Sequence, residues 1–129
     1  MSVKASAMKV RISPRKVGIV AGLVRGRTVQ DALTILSHTP RSSAKPVIKV
    51  IESARANADN NHKLKPDTLK IVSITVTPGV RYKHMRMGAQ GRGLPFQRRT
   101  SHICVEVDGE KREIKKPASK KETTEKKDA

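Results

Sequence analysis

The chain holds one cysteine, one tyrosine, one phenylalanine and no tryptophan in 129 residues. A lone Cys104 can form neither an intrachain disulfide nor a thiolate metal cluster, which suits a reducing compartment; the expected setting is the cytoplasm. So few aromatic residues argue against a membrane-surface protein, whose amphipathic helix needs large apolar anchors. The N-terminal stretch around Lys4, Lys9 and Arg11 has no apolar core of signal-peptide length, and nowhere is there an apolar run long enough to span a bilayer, so neither export nor membrane insertion is expected. Acidic residues are the most informative shortage. The 38 residues from Thr68 to Val105 contain seven Lys/Arg and two His without one Asp or Glu.

What is present is positive charge, unevenly placed. Twenty-eight Lys/Arg against eleven Asp/Glu give a net charge of +17, a self-repulsion that a polyanionic partner would relieve. Residues 1–30 also lack acids while holding seven Lys/Arg, whereas residues 31–67 and 106–129 mix both signs. The two acid-free blocks are where a phosphate backbone would be gripped. At this length one core is expected: a single α+β domain over 1–113 and, beyond it, a Lys/Glu-rich tail, 114–129, without apolar periodicity and expected to be disordered.

Local patterns support an α+β fold, with three helices packed on a small antiparallel sheet and a long extended β-hairpin arm. Residues Val3 to Ile12 alternate as a short strand, with Met8, Val10 and Ile12 expected on one side and Lys9 and Arg11 on the other. Ser13-Pro14 has the chemistry of a helix start, with the Ser oxygen expected to cap free amides; Val17, Val20, Ala21 and Val24 form an apolar stripe, and Gly26 suits the stop. Thr28 and Asp31 open a second helix carrying Val29, Ala32, Leu33, Ile35 and Leu36, which ends before Pro40. A third and longest helix, from about Ser43 to Asn60, tolerates Pro46 in its first turn and buries Ala44, Val47, Ile48, Ile51, Ala54 and Ala58. A strand from Leu69 to Thr77 follows, with Val72, Ile74 and Val76 expected on one face. Its return partner places Ile103, Val105 and Val107 inward and His102, Cys104 and Glu106 outward.

Between these strands, residues 78–99 are too polar and glycine-rich to bury themselves. Read as a two-stranded arm of about eleven residues per side, they reach roughly 35 Å past the core. Such a ribbon, with no evident apolar face, is expected to order in its complex. Gly88, Gly91 and Gly93 supply positive backbone dihedrals or close approach at a tip.

The blocks Arg11-Ile12-Ser13-Pro14-Arg15-Lys16, Val24-Arg25-Gly26, Ser53-Ala54-Arg55-Ala56-Asn57-Ala58 and, most specifically, Arg98-Arg99-Thr100-Ser101-His102-Ile103 resemble the large-subunit ribosomal protein twenty-two family. The resemblance covers roughly residues 3–107, in family order and spacing. It implies a non-catalytic constituent of the large ribosomal subunit that binds ribosomal RNA and assists early assembly. It also implies a globular domain near the exit of the nascent-peptide tunnel and a hairpin whose tip lines the tunnel wall. Arg11, Ser13, Arg15 and Lys16 map to the family's RNA-facing N-terminal block, and Arg92, Arg98, Arg99, Thr100, Ser101 and His102 to the returning side of the arm. The tip maps to Met85, Arg86, Met87, Gly88, Ala89, Gln90, Gly91 and Arg92, where Met87-Gly88-Ala89 and Gly93-Leu94-Pro95 depart from the usual family pattern. The partners implied are large-subunit ribosomal RNA, neighbouring large-subunit proteins and the nascent polypeptide; no membrane and no homo-oligomer are expected.

The residue chemistry is consistent with that reading. Lys9, Arg25, Arg81, Lys83 and Arg86 join the block and arm residues as candidate phosphate contacts, with Arg able to bridge two oxygens. Tyr82 and Phe96 offer faces for unpaired bases, and His84 and Gln90 offer hydrogen bonds to a 2′-hydroxyl. For Thr100 and Ser101, cross-strand pairing and direct RNA contact stay open. His102 and Cys104 share a strand face about 7 Å apart and lack an orienting carboxylate other than Glu106, so no nucleophilic dyad is expected. His38, His62, His84 and His102 have no ligand spacing, and neither metal nor cofactor is expected. A DNA-bending architectural protein, with Pro95 or Met87 wedging a base step, is the alternative; it normally needs a large apolar dimer interface that this composition does not offer. An RNA-processing enzyme would need carboxylates for Mg²⁺ or general base catalysis, which the arm lacks.

Overall fold

A computed structural model describes residues 2–112. The order is β1 (Val3–Val10), α1 (Pro14–Val24), α2 (Val29–His38), α3 (Ala44–Asn60), a short 3₁₀ turn (Pro66–Thr68), β2 (Lys70–Met87), a second 3₁₀ turn (Ala89–Gly91) and β3 (Gly93–Asp108). The three strands form one antiparallel sheet in the order β1-β3-β2. The α+β class is as the sequence indicates. The tail 114–129 lies outside the described residues.

Each helix buries the stripe its periodicity marks. Val17, Val20, Ala21 and Val24 of α1, Val29, Ala32 and Leu36 of α2, and Ala44, Val47, Ile51, Ala54 and Ala58 of α3 are buried together with Ile71, Ile74, Ile103, Val105 and Val107 of the sheet. Val50 of α3 joins them, while Ile48 only packs against the cluster's edge. Burying one such aliphatic side chain contributes about 1.5–3 kcal/mol relative to exposure. The helices end as their sequences suggest, with Gly26 at φ 76° just past α1 and Thr28 Oγ1 accepting the Asp31 amide at 3.3 Å. The Asp31 carboxylate in turn accepts the Thr28 hydroxyl at 2.7 Å. Ser13 departs from expectation: its side chain caps no amide, and its carbonyl accepts from the amides of Lys16 and Val17 instead.

Two strand faces differ from simple alternation, each because of a bulge. Ile71 faces Val107 but Ser73 faces Glu106, so β2 holds one extra residue around Val72. Ile71 and Ile74 therefore both point inward, and Val72, expected inside with Ile74, is exposed. In β1, Ala7 pairs with Ile103 and Val10 with Ser101, and Lys9 takes a positive φ of 56°. Met8 is thus turned outward, away from Val10 and Ile12. An inserted residue bends its strand and raises its twist, which here redirects the chain from the sheet into the first helix. The first residues of β2 have their outer edge covered by the α1–α2 linker, where the Gly26 amide donates to Ile71 O, the Ile71 amide to Arg27 O and the Val29 amide to Leu69 O. That cover blunts an otherwise open sheet edge.

Candidate nucleic-acid interface

The arm is paired along its whole length. Beyond Pro78, which faces Ser101, the ladder resumes at Arg81 and Arg99 and continues through Tyr82 and Arg98, Lys83 and Gln97, His84 and Phe96, Met85 and Pro95, and Arg86 and Leu94 to Met87 and Gly93. Residues 78–99 thus form the two-stranded arm that the sequence indicates, carrying the pairing about ten residues past each β-branched run. Contrary to the expected lack of any packing face, the ribbon makes contacts of its own. The His84 and Phe96 rings stack with centroids 5.2 Å apart and planes 25° apart, and the Arg86 guanidinium carbon lies 4.6 Å above the Phe96 ring. A cation over a ring at that distance is attracted by about 0.5–1 kcal/mol at an exposed site.

The tip closes with the Gly88 amide donating to Arg92 O at 2.7 Å and the Arg92 amide to Ala89 O at 3.3 Å. Of the three glycines expected to supply positive dihedrals or close approach there, Gly91 takes a positive φ (69°), and the other left-handed residue is Gln90 (φ 57°). Gly88 and Gly93 serve close approach: a Cβ on Gly93 would meet Met85 Cε at 2.7 Å, and one on Gly88 would meet Arg92 O at 3.0 Å. Met85, Met87 and Leu94 are left exposed around this turn.

At its root the arm is fixed to the core by polar bonds. A second bulge in β2, between Pro78 and Arg81, lets Thr100 Oγ1 donate to Val80 O at 2.7 Å. Across β3, the Lys9 amide donates to His102 Nδ1 at 3.0 Å, tying the β1 bulge to the arm's base. Thr100 and Ser101 are both buried, and of the two Thr100 makes the cross-strand bond that is one of the roles the sequence leaves open. Arg25 is also engaged internally, its guanidinium donating to Ile74 O at 3.0 Å.

Backbone alternation sorts the arm into two faces. Tyr82, His84 and Arg86 share one with Phe96 and Arg98; Arg81, Lys83, Met85 and Met87 share the other with Pro95 and Gln97. The first face looks onto a cleft of about 650 Å³ where the N-terminal block meets the arm, lined by Arg11, Ser13, Tyr82, His84, Arg86, Phe96 and Arg98, with Arg99 and Thr100 at its base. The cleft's lining holds four arginines and no carboxylate. Ser13 lies at the start of α1, whose first turn carries Arg15 and Lys16 and no acid. Arg15 and Lys16 are exposed beside the cleft, Arg92 is exposed at the tip, and Arg25 stands at the far end of α1, about 15 Å from Arg15 by helical rise. The structure thus unites Arg11 and Ser13 with Arg86, Arg98, Arg99 and Thr100, and leaves Arg25 apart.

Arg81 and Arg99 face each other directly across the ladder. Like charges so placed destabilise a strand pair unless an anion lies between or beside them. Among the described residues, the ion pairs are Lys4 with Glu106 at 2.7 Å and Arg112 with Asp59 at 3.7 Å, both away from the arm. No three His, Cys, Asp or Glu side chains among the described residues are grouped to hold a metal ion. The convergence of Arg11 with Tyr82 and Phe96 is not visible in sequence, because it depends on where β1 ends against a strand made some ninety residues later; an aromatic residue in an acid-free ribbon is the one local sign of it.

The family described as ribosomal protein L22p/L17e matches residues 5–108. Large ribosomal subunit protein uL22 of Clostridioides difficile (strain 630) is 46% identical over 111 residues, which cover 86% of this chain and 100% of that protein.

Proposed function

The chain belongs to the ribosomal protein L22p/L17e family and is a structural constituent of the large ribosomal subunit, and from this premise we propose that it grips large-subunit ribosomal RNA with its arm and N-terminal block. One observation carries the reading: an acid-free ribbon with Arg81 and Arg99 set opposite each other and its other cations exposed on both faces. Such a ribbon is stable with phosphates against it, and it is slender enough to pass between RNA helices. The contacts proposed are Lys9, Arg11, Ser13, Arg15 and Lys16 from the block and Arg81, Lys83, Arg86, Arg92, Arg98 and Arg99 from the arm. Arg25 contributes whatever donors its bond to Ile74 O leaves free, and Thr100, Ser101 and His102 brace the root.

At the far end, Met85 to Arg92 form the segment proposed to line the nascent-peptide tunnel. Met85 and Met87 are 74% and 89% exposed, flexible apolar side chains suited to brushing a polypeptide of any sequence. By holding several RNA segments at once the protein would assist assembly, with neighbouring large-subunit proteins against its globular face and a cytoplasmic location. The reading is of a scaffold and not an enzyme. Family membership also favours RNA over the DNA-bending alternative.

Gradient sedimentation of a cell lysate tests the proposal with tagged chain, comparing wild type with a deletion of Met85 to Leu94. Wild type is expected to comigrate with large subunits at one copy each, and the deletion to incorporate while altering the tunnel. Wild type remaining at the top of the gradient would overturn it.

A further inference from the structure

The cleft at the arm's root combines features that a phosphate grip alone does not require. Both aromatic residues of the chain, Tyr82 and Phe96, lie on its wall, at positions where two more cations would serve backbone binding better. Tyr82 is 46% exposed and so presents its ring to solvent rather than to the core. Phe96 is half-buried, propped by the stacked His84 ring and by Arg86. Opposite them stand Arg11 and Ser13, delivered by the bulged end of β1. The volume, about 650 Å³, falls within the range of about 300–1,000 Å³ usual for small-molecule sites, whereas a duplex backbone needs only an open surface.

We infer that this cleft holds one unpaired nucleotide of the RNA, its base stacked against Tyr82 and on the platform that Phe96 builds with His84, and its phosphate on Arg11 and Arg98. The inference rests on the RNA-binding reading above and narrows it to a single unpaired nucleotide at a stated place. Aromatic faces recognise an unstacked base irrespective of its sequence, and guanidiniums beside them bind the adjoining phosphate bidentately. The Ser13 hydroxyl, which caps no amide in its own helix, is free to meet a 2′-hydroxyl there. A base drawn into the cleft would lock the arm's angle to the core, since one wall belongs to β1–α1 and the other to the ribbon.

Stacking and charge respond differently to salt, which provides the test. Full-length protein is titrated with purified large-subunit ribosomal RNA over a series of salt concentrations, and bases are probed chemically in each complex. Phe96→Leu and Tyr82→Leu are expected to weaken binding about 10-fold or more each at every salt concentration, leaving the log–log slope unchanged. Arg11→Gln and Arg98→Gln are expected to reduce the slope by about one each. One unpaired base protected by wild type becomes reactive with either Leu variant, while the rest of the footprint persists. Phe96→Trp and Tyr82→Phe keep a ring face and restore both affinity and protection, which separates stacking from damage to the ribbon. Leu variants that bind within about twofold of wild type, or ring-retaining variants as weak as the Leu ones, overturn the inference while leaving RNA binding intact. Wild-type binding without salt dependence would instead remove the underlying reading.

Discussion

Replacing Ser101 by Ala is expected to stabilise the protein. Ser101 is 0% exposed, in the middle of the central strand, where it faces Val10 on one side and Pro78 on the other. Its hydroxyl has no hydrogen-bond partner among the described residues, and proline offers no amide to supply one. A buried hydroxyl left unpaired costs about 1–3 kcal/mol, and Ala keeps nearly the same shape while removing it. Allowing for the dispersion attraction that the absent oxygen atom no longer provides, the net gain is about 1 kcal/mol, or roughly 3–6 °C in Tm for a domain of this size. The assay is urea and thermal unfolding of full-length protein followed by circular dichroism, at moderate salt to screen self-repulsion, with an unchanged m-value as the check on two-state behaviour. Thr100→Ala is the internal control of opposite sign: its hydroxyl donates to Val80 O at 2.7 Å, so its loss is expected to cost about 1 kcal/mol. Affinity of Ser101→Ala for RNA should stay within about twofold of wild type. A Ser101→Ala protein less stable than wild type, or one selectively impaired in RNA binding, would refute the assignment of this residue to the interior.

Other outcomes follow from the same geometry. If the six arm cations Arg81, Lys83, Arg86, Arg92, Arg98 and Arg99 each meet a phosphate, they should together contribute about −4 to −5 to the slope of log affinity against log salt, beyond what the N-terminal block adds, and Arg81→Gln with Arg99→Gln should make the slope shallower by about 1.5–2; titrations at several salt concentrations read this directly. Gly79→Ala should destabilise the arm's root by about 1–2 kcal/mol in urea unfolding, because the new Cβ would lie 2.6 Å from Thr100 Oγ1 and 3.1 Å from His102 Nε2. Ile51→Ala, at a fully buried site of α3, should cost about 2–5 kcal/mol in the same assay. The Lys4 hydrogen bond and charge hold the Glu106 carboxyl below the usual glutamate range and raise Lys4 in return. The pair's contribution is therefore present above the unfolded glutamate pKa and lost as pH falls through the lowered folded value, and on the alkaline side it is lost as pH rises through the raised value of Lys4. Glu106→Gln should flatten both limbs of a stability–pH curve, and carboxyl titration by NMR should find Glu106 below an exposed glutamate.

What was legible in the sequence is what a single element decides by itself. The stripes of α1, α2 and α3 and the inward set Ile103, Val105 and Val107 were readable because each face is buried throughout its length and its period is undisturbed. The candidate interface was legible as charge, since an acid-free stretch needs no coordinates to be recognised. The sides taken by Met8 and Val72 were not, because a bulge is specified by the partner strand: one extra residue flips every later side chain, and the local pattern holds no trace of it. The arm was legible as a hairpin from the two β-branched runs that flank it, but the contacts that hold it were not. Its pairing is sustained by cross-strand contacts such as His84 with Phe96, not by an apolar face that alternation would reveal. Ser13 had the chemistry of a cap, but its side chain caps no amide and the residue lines the cleft. For Ser101, among Arg99, Thr100 and His102, the sequence left an internal and an RNA-facing role open, and only its pairing on both sides places it inside.

The strand order β1-β3-β2 carries a consequence for how the molecule comes into being. The first strand's described neighbour is the last one, with Val3 opposite Val107. A chain made from its amino end can curl its three helices early, from contacts close in sequence. Its sheet, however, stays open until the final strand has been synthesised, and such distant pairings are the slow ones. Until then β1 lacks its strand partner, and the ribbon lacks its returning half. The cleft between them, one wall of which is β3, therefore cannot be complete before that strand is made.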